Sequence, residues 1–206
     1  MEKNVRRRRR AVAGLVAAGF VAVIAMAGTT PAFADSTAVI HAPSTSVQSG
    51  PEIADFNGTS INLASSWGGA TDCVVWHSAG IVKCFDSSTQ LHAWQAQYAP
   101  GGSAPAAVTS AAVIPLVSCS TPLNLYADAG YGGRHLVFYD RGYWQNLTDY
   151  GFNDQMSSYI VGACSSHLAE NTNGGGYWYP GNTNAGSAVS YVGAAWNDRV
   201  SSIYIN

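Results

Sequence analysis

The sequence predicts a mainly β protein: a β-sandwich over residues 119–206, preceded by a small N-terminal region with a disulfide-closed hairpin and a short helix. Three observations predict it. From Leu123 to Asn206, helical periodicity is almost absent, and short apolar runs ("LNLYA", "HLVFYD", "SSYIVGA", "AVSYVG", "SSIYI") alternate with turns rich in Gly, Asn and Asp. The chain also repeats itself: "FNDQMSS" at 152–158 returns as "WNDRVSS" at 196–202. Finally, the four cysteines Cys73, Cys84, Cys119 and Cys164 are an even number, as expected of an exported chain whose modest core gains from bridges.

Export is read from the first residues. "MEKNVRRRRR" is a basic leader, an uncharged stretch rich in Ala and Val follows, and "PAFA" places Ala32 and Ala34 in an A-x-A pattern. Residues 1–34 therefore read as a signal peptide, with a single N-terminal membrane anchor as the alternative, because the apolar stretch is long. After cleavage the chain is expected to be secreted, without stable membrane insertion. It keeps four basic residues (Lys83, Arg134, Arg141, Arg199) against eleven acidic ones, a formal charge of −7. So few cations cannot neutralise a run of phosphates, which excludes nucleic acid as a partner.

Residues 35 to about 58 read as irregular. "DCVVWHSAGIVKCF" reads as a hairpin, and pairing His77 with Gly80 sets Cys73 opposite Cys84. "SSTQLHAWQAQY" reads as a helix over about 88–98, capped by Ser87 or Ser88, with Leu91, Trp94, Gln95 and Tyr98 on one face. Residues 99–118, rich in Gly, Pro and Ala, read as a linker. Four cysteines allow three pairings; the two local ones, Cys73–Cys84 and Cys119–Cys164, are expected.

Within 119–206 each half carries two signatures in the same order. The first opens with "YADAGYGG" (Tyr126, Tyr131, Gly133) and closes with "NDQMSS"; the second opens with "YPGNTNAG" (Tyr179, Asn184, Gly186) and closes with "NDRVSS". The closing loops hold the oxygen types that a hard cation takes: carboxylate, amide, hydroxyl and main-chain carbonyl. They contain no thiol or imidazole, which argues against zinc or copper.

These motifs resemble the βγ-crystallin superfamily over roughly residues 121–206, with Asn184 standing where the second hairpin has its second aromatic. The resemblance implies one two-Greek-key sandwich and, as in the calcium-binding microbial members, two calcium ions held between paired loops. It implies Asn153, Asp154, Gln155 and Ser157 from one loop and Asn197, Asp198, Arg199 and Ser201 from the other. Each Asp, with the carbonyl of the residue after it, would act with the serine of the opposite loop, and a hairpin carbonyl would complete the protein ligands. With one carboxylate per loop, affinity is expected on the order of 10 μM to 1 mM.

Catalysis is not expected. His41, His77, His92, His135 and His167 are scattered, with no H-E-x-x-H, G-x-S-x-G or Walker loop. Asp128, Asp140 and Asp149 read as turn residues, and His135 as a solvent-facing or edge residue. The role expected first is structural or protective. A second expectation rests on similarity to the microbial metallopeptidase-inhibitor family of the same fold. A rigid loop, either "GACSSHLAENTNGGG" or the Cys73–Cys84 hairpin, would then enter the cleft of a secreted metallopeptidase.

Overall fold

The computed structural model describes residues 40–41, 50–98 and 118–206. The leader with its cleavage point, and residues 99–117, lie outside the described residues. In chain order the elements are β1 (Ile40–His41), β2 (Ile53–Phe56), β3 (Thr59–Asn62), β4 (Asp72–Trp76), β5 (Ile81–Phe85), α1 (Ser88–Tyr98), β6 (Ser118–Asp128) and β7 (Gly132–Asp140). They continue with β8 (Trp144–Asn146), β9 (Ser158–Ile160), β10 (Ser166–Ala169), β11 (Gly176–Tyr177), β12 (Ala188–Val189) and β13 (Ser202–Ile205).

Two sheets carry the sandwich, one ordered β12-β9-β6-β7-β4-β5-β2-β3 and one ordered β10-β13-β8. Each half of residues 118–206 lends one strand to the sheet of the other. β8 of the first half pairs with β13, and β12 of the second half pairs with β9. Two interlocked Greek keys result, and the main core between the sheets holds Leu123, Leu125, Leu136, Phe138, Tyr150, Phe152, Met156, Tyr159, Ile203 and Ile205.

Both expected disulfides form, Cys73–Cys84 and Cys119–Cys164, and β4 and β5 pair with Cys73 opposite Cys84. Gly80 closes the turn by donating its amide to the His77 carbonyl (2.8 Å). Helix α1 spans the expected residues. Ser87 caps it, its hydroxyl accepting from the Gln90 amide at 3.5 Å, while Leu91 is buried and Trp94 packs on Phe85.

The reading of residues 35 to about 58 as irregular is corrected where they are described. β2 and β3 form a hairpin around Asn57-Gly58, both at positive φ. Asn-Gly is the dipeptide such a two-residue turn demands, so the signal stood in the sequence. A further finding concerns the two regions distinguished in the sequence. β4 pairs in parallel with β7, Asp72 opposite His135 through Val75 opposite Phe138, so residues 50–98 and the Greek keys share one sheet. Ala54, Leu63 and Trp67 lie in the main core, and residues 37–206 form one compact unit.

Candidate metal centre

Each repeated loop is pinned from below by its apolar members. Phe152 and Met156 of the first, and Trp196 and Val200 of the second, are buried, while Asp154 and Asp198 stand exposed at the tips. Both aspartates take left-handed backbone, φ 53° and 55°, a conformation that Asx residues tolerate better than most. The loops then bond to each other reciprocally. The Asp154 amide donates to the Val200 carbonyl (3.1 Å), and the Asp198 amide to the Met156 carbonyl (3.2 Å).

That reciprocity sets opposing side chains together. The Ser201 hydroxyl donates to Asp154 Oδ1 across the loops at 3.1 Å. Within each loop the asparagine amide orients the carboxylate: Asn153 Nδ2 and Asn197 Nδ2 each donate to Oδ2 of the following Asp at 2.7 Å. Asn153 Oδ1 is buried and accepts no hydrogen bond. Gln155 turns its side chain back to the Gly151 carbonyl (3.2 Å). Arg199 bonds Glu170 through Nη2 (2.7 Å) and Nε (3.1 Å) and lies 5.2 Å over the Trp196 ring. The bond from Arg199 is the main reason the Glu170 carboxyl sits below its ordinary range.

The second serine of each motif has a separate task. Ser158 donates to the Asp128 carbonyl (2.6 Å) and accepts from the Tyr131 amide (3.1 Å), locking the first folded hairpin. Ser202 does the same to the Asn171 carbonyl (2.6 Å) and the Gly174 amide (3.0 Å). The second folded hairpin is therefore Ala169–Gly176, not the stretch from Tyr179 to Gly186. Ser157 donates to the Tyr126 carbonyl and Ser201 to the Ala169 carbonyl (both 2.9 Å), and Ala169 bridges Trp178 as Tyr126 pairs with His135.

In this correspondence Ala169 stands for Tyr126, Gly174 for Tyr131 and Gly176 for Gly133, the two last glycines both near φ +73°. The aromatic signature is lost because the ring comes from elsewhere. Trp144 of β8 lies so close over Gly174 that a Cβ there would sit 2.2 Å from its Cε2. Tyr179 instead packs edge-on against Tyr159 and Trp196.

With these hairpins and loops in place, the identity of the fold is decided. Residues 118–206 have the βγ-crystallin fold. Solved βγ-crystallin structures similar to the chain cover 41% of it. They include a clostrillin double mutant in complex with nickel (27% identity, 97% of that chain, TM-score 0.35), a domain from Flavobacterium johnsoniae (27%, 92%, 0.32) and the Ciona intestinalis protein (22%, 99%, 0.35). No family model matches the chain, and no curated protein matches it.

The donors in this βγ-crystallin domain are oxygens of hydroxyl, amide, carboxylate and main chain. Among the described residues no three His, Cys, Asp or Glu side chains gather in a metal-holding group. Such a set fits a hard cation that accepts few carboxylates and fits zinc or copper poorly. Other readings of the sequence are revised. His135 is buried, not solvent-facing, and its Nδ1 lies 2.9 Å from Asp72 Oδ1. Asp140 is also buried, accepting from the Ser78 amide and hydroxyl and the Ser118 hydroxyl. The Cys73–Cys84 hairpin lies inside the large sheet, bonded on both sides of β4, while "GACSSHLAENTNGGG" supplies β10 and the second folded hairpin.

Proposed function

We propose that the chain is a secreted calcium-binding βγ-crystallin module with a structural or protective role and without enzymatic activity. Two ions would be held between the paired loops. One would take Asp154 and the Gln155 carbonyl with Ser201, the other Asp198 and the Arg199 carbonyl with Ser157; Asn153 and Asn197 orient the carboxylates. The observation that carries this reading is the approach of the Asp154 carboxylate and the Ser201 hydroxyl from opposite loops (3.1 Å). Two disulfides support the extracellular part of the reading, and no helix among the described residues is long and apolar enough to cross a membrane.

A bound ion would neutralise the two tips and replace water by fixed oxygens, tying the Greek keys together. At about 1 mM calcium and a dissociation constant near 10 μM, one ion stabilises by about 2.7 kcal/mol. That corresponds to a rise of roughly 5–10 °C in melting temperature for a unit of this size. Calorimetric titration with calcium, alongside melting curves, tests it. Asp154→Ala with Asp198→Ala should abolish both the heat and the shift; a wild-type protein that melts identically with calcium and with chelator would overturn the proposal.

A further inference from the structure

The join between residues 50–98 and the Greek keys has the character of a binding interface. β4 lies parallel to β7, and the Thr71 carbonyl accepts from the His135 amide (2.9 Å). The Glu52 amide bonds the Asp149 carbonyl (2.9 Å), and Trp67 Nε1 reaches the Tyr150 carbonyl (2.8 Å). The Arg134 guanidinium covers the Trp67 ring at 4.8 Å and the Phe152 ring at 5.7 Å. On the other face of the sheet, Trp76 stacks on Tyr139 (4.9 Å), and Val74, Phe85 and Leu91 pack with Val137 and Tyr139.

Covalently the two parts are nearly independent. One disulfide lies wholly within residues 50–98 and the other wholly within the Greek keys, so neither bridge crosses the join. The chain passes from one part to the other only through the segment between Tyr98 and Ser118. A parallel pair also needs no tight turn between its strands, unlike a hairpin, so the geometry of β4 on β7 is indifferent to which chain supplies β4.

We propose that the β7 edge with its flanking Trp67 and Tyr139 contacts is a strand-addition surface, and that its partner in trans is residues 50–98 of a second copy. The chain thereby holds a route to strand-exchanged dimers, in which each copy seats its N-terminal module on the Greek keys of the other. This reading does not depend on calcium.

Two forms of the full-length chain carrying different affinity tags are mixed, unfolded in urea with disulfides intact, and refolded together at about 100 μM, a concentration that favours exchange. A dimer retained by both tags, absent when the forms are refolded separately and then mixed, is the expected result. In a second measurement, a protease recognition sequence inserted between Gly101 and Gly102 is cut after folding, the uncut insert serving as the control for folding. The two pieces should co-elute one to one, and the smaller should exchange with a labelled counterpart after partial unfolding. Pieces that separate on cutting, or mixed refolding that yields only monomers, would overturn the proposal.

Discussion

Asp72 is the point where three elements meet. Its buried carboxylate accepts from His135, from the Thr71 hydroxyl (2.6 Å) and from the Ser88 hydroxyl at the start of α1 (2.9 Å). Burial alone pushes its pKa upward, but these bonds outweigh it and hold the carboxyl below its usual range. A depressed folded pKa contributes stability that is present above the unfolded value, near 3.9, and lost as pH falls through the folded one. Melting temperature should therefore drop on acidification below about pH 4, with a shallower slope in Asp72→Asn. Asp72→Ala, which leaves His135 facing a cavity, should cost about 3 kcal/mol in urea unfolding near neutral pH. No sequence pattern marked this pair, because Asp72 and His135 are neighbours only through β4 and β7.

Among the elements, the two folded hairpins show what a motif can and cannot report. The first was legible, since Tyr126, Tyr131 and Gly133 all lie within it. In the second, Gly174 occupies the aromatic position at φ 75° beneath Trp144, while Gly186, the glycine singled out by spacing, has open space around its Cβ direction. Gly174→Ala combines left-handed backbone with a clash against an indole and should destabilise by about 3 kcal/mol or more. Gly186→Ala meets only the backbone penalty, about 1 kcal/mol. Denaturation of the two variants side by side checks the assignment; equal losses would contradict it. The β2–β3 hairpin was legible from Asn57-Gly58, whereas β8 and β10 are short and buried and gave no alternation to read.

The whole molecule is one sheet system built from two parts, and its bridges act at that scale. Cys119 and Cys164 are 45 residues apart, and Cys73 and Cys84 are 11 apart. In the chain-entropy treatment the longer loop contributes about 4 kcal/mol and the shorter about 3 kcal/mol. A Cys119→Ser and Cys164→Ser variant should accordingly lose more stability in urea than Cys73→Ser with Cys84→Ser. The order would reverse if the buried Cys73–Cys84 bridge carried the joint between β4 and β7.

Taken alone, the sequence determined the β character, the hairpin and helix of the N-terminal region, and the two oxygen-bearing loops. Each of these is written in contiguous residues: turn formers, alternation, or a repeated heptapeptide. Only the tertiary structure decided that β4 adds to β7, that Trp144 supplies the ring over the second hairpin, and that Asp154 meets Ser201. The physical reason is common to all three, since each joins groups far apart in the chain through packing and backbone pairing, which no local pattern encodes.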